Sequence, residues 1–102
     1  MSGLYEFPYI EQITDVPLQE LGITALQELD RVSHSFTSFQ AHLYPTIFKA
    51  TQPFTYPDGI WIPLTELSLY PFSSGHRRVM LLVQRTLPQL EILVKDAIHI
   101  KP

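Results

Sequence analysis

Nine prolines, against only four glycines, punctuate this 102-residue chain. Each proline removes a backbone donor, fixes its own φ and restricts the residue before it, so helices and central strands stop at or near it. The chain must therefore fold as a set of short elements, and no internal repeat organises them. Apolar residues make up 45 % and charged residues 17 %, the balance of a globular domain with room for one hydrophobic core. There is no cysteine, which excludes a disulfide scaffold, a thiolate zinc site and an iron–sulfur cluster on these residues. Seven Lys and Arg against ten Asp and Glu give a formal charge of −3. That balance argues against a strong free-standing nucleic-acid binder, because phosphate attraction supplies most non-specific affinity. The longest apolar run, Val79 to Val83, is far too short for a membrane span. Met1 to Glu6 has neither the basic region nor the apolar core of a signal peptide.

Local patterns place the elements. Thr14-Asp15-Val16-Pro17 reads as a helix start, with Leu18, Leu21 and Ile23 following and Gly22 as the stop. Val32, His34 and Phe36 alternate with Arg31, Ser33 and Ser35, the pattern of a half-buried strand, and Phe39 to Lys49 is a second such run. Residues 30–48 then form an antiparallel hairpin, turned either at Thr37-Ser38 or through a wider loop from Ser35 to Phe39. Gln52 to Gly59 is a loop that ends in an Asp-Gly turn signal, Ile60-Trp61-Ile62 a short buried strand, and Thr65 to Leu69 one helical turn. A long helix begins near Ser74 with Val79, Leu82 and Val83 on its apolar face, and Pro88 kinks or restarts it, giving a helical extension over 84–102. The order is α+β in one domain, 1–102.

Three stretches resemble one family in the right order. Gly3-Leu4-Tyr5-Glu6-Phe7-Pro8 is similar to the Gly-Leu-Trp-Glu-Phe-Pro stretch of the C-terminal domain of MutY-type A/G-specific adenine DNA glycosylases. His34-Ser35-Phe36-Thr37-Ser38-Phe39 resembles that domain's His-x-Phe-Ser/Thr-His-Phe/Leu loop. Trp61, Leu64 and Leu67 followed by Tyr70 to Val79 resemble its closing Trp…Leu…Tyr-x-Phe-Pro-x-x-His-Arg/Gln-Arg-Val segment. The match spans about residues 3–83. It implies a Nudix/MutT-like fold, a mixed sheet with a central antiparallel hairpin flanked by helices. It also implies a role in base excision repair: reading 8-oxoguanine opposite adenine for a catalytic domain that lies N-terminal in such enzymes and carries their iron–sulfur cluster. On that resemblance the chain is a partial domain that begins after the family's first strand, non-catalytic by itself. Its partners are then duplex DNA containing 8-oxoguanine opposite adenine, its own N-terminal catalytic domain and, through an open sheet edge, a second copy. Its place is the bacterial cytoplasm, at the nucleoid, with no membrane contact.

Two departures narrow this expectation. Nudix hydrolysis needs Gly-x5-Glu-x7-Arg-Glu-x2-Glu-Glu-x-Gly, because several carboxylates on one helix face must hold Mg²⁺ against a pyrophosphate. Glu11, Glu20 and Gly22 are the only echoes of it, too few to hold the metal. Ser38 stands where the bacterial family usually has histidine.

The candidate lesion-binding residues are Phe36, Thr37 and Ser38, with His34 beside them. A hydroxyl both donates and accepts, and 8-oxoguanine offers an N7–H where guanine offers only an acceptor, so Thr37 or Ser38 has a partner the normal base lacks. Phe36 supplies a ring to wedge beside the base step. The competing reading is a polar tip between two core phenylalanines. His76, Arg77 and Arg78 form the basic cluster, suited to phosphate at a helix start, or else to a solvated face or a pair with Glu66. His34 and His42 fall on opposite faces if Phe36 pairs with Phe39, so no metal site is expected from them. Trp61, Tyr70 and Phe72 read as core and closing residues, and nothing places Glu6 with Glu11 as an acid–base pair. From a different class, the alternative is a degenerate Nudix-like domain used for protein contacts.

Overall fold

The computed structural model describes residues 3–9, 22–50, 59–90 and 97–101. Six strands and one helix are present among them: β1 (Ile23–Glu28), β2 (Val32–Ser35), β3 (Gln40–Leu43), β4 (Thr46–Ala50), β5 (Ile60–Pro63), α1 (Ser74–Thr86) and β6 (Ala97–Ile100). Two 3₁₀ turns, Leu64–Leu69 and Leu87–Leu90, flank α1. The protein is α+β, as the sequence pattern indicates.

The strands form antiparallel pairs: β1 with β4, β2 with β3, and β5 with β6. The parallel contribution among the described residues is a single bridge, Tyr5 to Phe72. Tyr5 and Glu6 are held on both sides. Glu6 N–H donates to Lys101 O at 2.7 Å and Lys101 N–H returns the bond at 2.8 Å. Tyr5 N–H donates to Pro71 O at 2.7 Å, and Ser73 N–H donates to Tyr5 O at 3.2 Å. The N-terminal segment thus lies between the end of β6 and the chain entering α1, and it continues the β5–β6 pair.

The core gathers Val32, Ile62, Leu67, Phe72, Val79, Met80, Val83 and Ile100, of which Leu67 and Ile100 are fully buried. Helix α1 buries Gly75, His76, Val79, Met80 and Val83, the three- and four-residue spacing of one face. Val79, Met80 and Val83 each contribute roughly 1.5–3 kcal/mol by leaving water. Leu82, read as part of that face, is half-buried at its margin.

Four departures from the sequence reading have physical causes. The second run does not continue from Phe39 to Lys49: β3 stops at Leu43, and β4 restarts at Thr46 after Tyr44-Pro45. Proline lacks the donor and constrains its predecessor, so the chain turns there and pairs with β1 instead. Strand β1 itself went unread, because all of it beyond Ile23 is exposed and carries no hydrophobic alternation. Gly22, at φ +70°, does mark a boundary, the one that opens β1. The helical extension over 84–102 is also corrected: α1 ends at Thr86, one residue before Leu87-Pro88, and Ala97–Ile100 is a strand whose Ile100 fills the core. In β5 only Ile62 is buried, and Trp61 stays 37 % exposed with its ring edge-on to His99 at 5.1 Å. The predicted helix after Thr14, and with it Glu11 and Glu20, lies outside the described residues.

Candidate functional site

The hairpin β2–β3 has the register Val32 to Leu43, Ser33 to His42, His34 to Ala41 and Ser35 to Gln40. Phe36 N–H donates to Phe39 O at 2.7 Å and closes the turn on Thr37-Ser38. Two-residue turns of this kind hold the flanking residues directly opposite each other. Because side chains alternate, His34 and Phe36 share one face, and Ser33 with His42 lie on the other. There His42 Nδ1 and Ser33 Oγ are 2.9 Å apart. The two histidines are therefore on opposite faces, as the register argument requires.

The stem of the hairpin is clamped to the first turn of α1. A Cβ added at Gly75 would stand 3.1 Å from Leu43 Cδ1 and 3.4 Å from His34 Cβ, so the hairpin packs closely on the helix backbone there. Arg78 Nη1 donates to the backbone carbonyl Ser33 O and ties the edge of β2 to the same helix. Beyond the clamp the tip projects. Thr37 and Ser38 are exposed. Phe36 and Phe39, one alternative for which was the core, are 50 % and 61 % exposed. Their rings stack with centroids 4.6 Å apart at 21°, and the His34 ring meets Phe36 edge-on at 4.6 Å and 89°. A file of rings thus runs from Gly75 through His34 and Phe36 to Phe39. Rings exposed to this extent forgo about half of the roughly 1.5–3 kcal/mol that full burial of such a side chain gives, and the two lie side by side as one apolar patch.

The basic cluster divides. His76 is 6 % exposed and used internally: its Nδ1 accepts from Phe7 N–H at 2.9 Å, and its Nε2 lies 3.0 Å from the Tyr9 hydroxyl and 3.7 Å from Glu6 Oε2. An acceptor role at Nδ1 places the ring proton of the neutral form on Nε2, toward Tyr9 and Glu6. Burial holds the imidazole below its ordinary pKa of 6.5, and Glu6 offsets only part of that effect. His76 is therefore a strut between the N-terminal segment and α1, with no donor left for phosphate. Arg77 and Arg78 are exposed, and no ion pair joins either to Glu66 among the described residues. Arg78 reaches the hairpin, while Arg77 borders a shallow groove of about 510 Å³ formed with Leu4, Leu69, Tyr70 and Met80.

The stretches 3–8 and 70–79 meet through Phe7–Phe72 stacking at 4.9 Å and 13°, Tyr5–Tyr70 edge contact at 5.0 Å, and the bonds to Pro71, Ser73 and His76. Packing accounts for both. The third stretch, 34–39, is the one left facing solvent. Phe39 is the residue the sequence reading missed, and the signal was available: a two-residue turn sets it opposite Phe36 at the tip. Glu6 and Tyr9 around His76 had no such signal, since they lie 70 and 67 positions away.

No group of three or more His, Asp or Glu converges among the described residues, and the sequence keeps only Glu11 and Glu20 of the Nudix carboxylates. Glu11 and Glu20 themselves lie outside the described residues. No curated protein and no solved structure matches the chain. A family model described as NUDIX domain matches residues 1–82, from the N-terminal segment through the hairpin and into α1. That span includes both the clamp and the projecting tip, and the chain accordingly belongs to the Nudix domain family.

Proposed function

We propose that this Nudix domain reads 8-oxoguanine in duplex DNA, as the non-catalytic recognition part of an A/G-specific adenine DNA glycosylase. The observation that carries the reading is the hairpin tip, where Thr37 and Ser38 stand exposed between two exposed, stacked phenylalanines on a stem fixed to α1. In support, the family matched over residues 1–82 is one found in MutY C-terminal domains. A hydroxyl at Thr37 or Ser38 accepts from the N7–H of the oxidised base, whereas N7 of guanine has no proton to give. The neighbouring rings provide apolar surface at a base step. Arg77 and Arg78 stand at the start of α1 for phosphate contact. The net charge of −3 makes the domain's own affinity weak, so tight binding would come from the adenine-removing domain, which acts on a flipped base.

The test compares binding of duplexes carrying adenine opposite 8-oxoguanine or opposite guanine, at fixed salt, by anisotropy. The expected result is a preference for the oxidised duplex that shrinks about tenfold in Thr37→Ala/Ser38→Ala, since one base contact is worth roughly 1–3 kcal/mol of discrimination. Equal affinity for the two duplexes, unchanged in the double variant, would sink the reading. Capture of a protein partner by a chain that ignores both duplexes would favour the degenerate, protein-binding alternative.

A further inference from the structure

The stacked pair at the tip has an asymmetry that bears on which ring meets DNA. In any stack each ring gives one face to the other. Phe36 gives a face to Phe39 and also has the His34 ring against it at 4.6 Å, and His34 in turn is pinned over Gly75. Phe39 stacks on Phe36 at 21° and yet remains 61 % exposed, more than Phe36 at 50 %. Phe39 is therefore the more open ring of the pair, and Phe36, with the His34 ring also against it, backs it. A base that has left its stack gains roughly 1–3 kcal/mol on an aromatic face, and the gain does not depend on which base it is.

Resting on the DNA reading above, we propose that Phe39 is a base-stacking residue, the ring against which a nucleobase beside the tip lies when the hairpin engages the duplex. Thr37 and Ser38 then test the oxidised edge, while Phe39 receives a base regardless of identity and Phe36 positions it. The backbone bond from Phe36 N–H to Phe39 O fixes the spacing between the backing ring and the open one.

A stacking role separates from a structural one by what rescues it. Phe39→Ala, Phe39→Leu, Phe39→Tyr and Phe39→Trp are made in the full chain and titrated with the same two duplexes at fixed salt. Leucine keeps apolar packing on Phe36 but has no π-face. The expected result is about tenfold weaker binding of both duplexes for the Ala and Leu variants, binding within about twofold of the parent for Tyr and Trp, and an unchanged ratio between the two duplexes. In a Trp61→Phe background, the Phe39→Trp indole should also be quenched when DNA is added. A Leu variant that binds as the parent does would overturn the stacking role and leave the DNA reading standing. A parent chain that binds neither duplex would overturn that reading and this proposal with it. Thermal midpoints within about 2 °C across the series would show that the variants differ in contact and not in folding.

Discussion

Substituting Gly59 by alanine tests how β5 and β6 are joined. A Cβ there would stand 2.0 Å from Cε1, 2.4 Å from Nε2 and 3.1 Å from Nδ1 of His99. Favourable carbon contacts begin near ~3.5 Å, so the ring would have to retreat by about 1.5 Å. It has little room to do so. His99 is buried, it abuts Trp61 edge-on at 5.1 Å, and the next residue of its strand, Ile100, is fully buried. Overpacking of this kind costs about 1–3 kcal/mol, and the shift required places Gly59→Ala toward the upper end. A gain of about 0.4–1 kcal/mol from stiffening the unfolded chain offsets part of it. The net expectation is a loss of about 2 kcal/mol, roughly 8–16 °C in thermal midpoint for a domain of this size.

The assay is urea unfolding followed by the fluorescence of Trp61, the only tryptophan, which lies next to the affected ring. A double-mutant cycle isolates the cause. His99→Ala destabilises by emptying the site, but in that background Gly59→Ala meets no ring. Only the gain of about 0.4–1 kcal/mol from the unfolded chain should then remain, so the coupling between the positions is about 2.5–3 kcal/mol. An equal loss in both backgrounds would refute the steric account and point to the backbone at Gly59. No loss in either would refute the close packing of Gly59 on His99 itself.

Acid should weaken the fold through two histidines. His76 and His99 are both held below the ordinary pKa of 6.5, each chiefly by burial, so the unfolded chain takes up protons that the folded one refuses. Stability is then flat above pH 6.5 and falls below it, by up to about 1.4 kcal/mol per pH unit for each histidine, until the folded-state pKa is passed. Urea midpoints from pH 8 to 5 measure it. His76→Asn, which keeps an acceptor for Phe7 N–H but cannot titrate, should remove about half the slope, and an unchanged slope would contradict the assignment. For the basic cluster, Arg77→Ala should lower the slope of log affinity against log salt by about 0.9 on duplex DNA. His76→Asn should leave that slope unaltered, because its side chain faces inward.

How far the sequence carried depended on what each residue answers to. The hairpin β2–β3 was legible, since Val32, His34 and Phe36 alternate and the turn between Phe36 and Phe39 follows from chain geometry. Helix α1 was legible for the same kind of reason, its start at Ser74 and its face through Val79 and Val83 being local patterns. Strand β1 was not, because a ribbon exposed on most of its length leaves no hydrophobic period to read. Strand β6 was hidden differently: four residues, Ala97–Ile100, are too short to outweigh the helical pattern running up to Pro88, and their identity as a strand comes from Ile60–Pro63 alongside. His76 shows the limit most clearly. Its position in His-Arg-Arg suggests a cation at a helix start, and only the return of Phe7 and Tyr9 to that spot makes it a buried acceptor.

The three stretches of resemblance differ in the same way as His76 and the hairpin tip. Two of them, 3–8 and 70–79, are satisfied by each other: the aromatic residues stack, the backbone bonds close, and His76 joins the two. Residues that packing already explains cannot also serve as support for a DNA-reading role. The third stretch has no such internal account. Its stem is tied down through His34 and Arg78, but its two rings and two hydroxyls project into water, where the rings forgo part of the stability that burial would give. A net charge of −3 further means that attraction to phosphate is confined to a local patch such as Arg77 and is weak for the domain as a whole. What the tip offers is shape and hydrogen bonding held rigid by a helix, the contribution a reading element makes when binding energy comes from elsewhere. The functional weight of the family resemblance therefore falls on Phe36 to Phe39, and variants in this segment, more than any in the basic cluster, decide between a damage reader and a protein-binding relic.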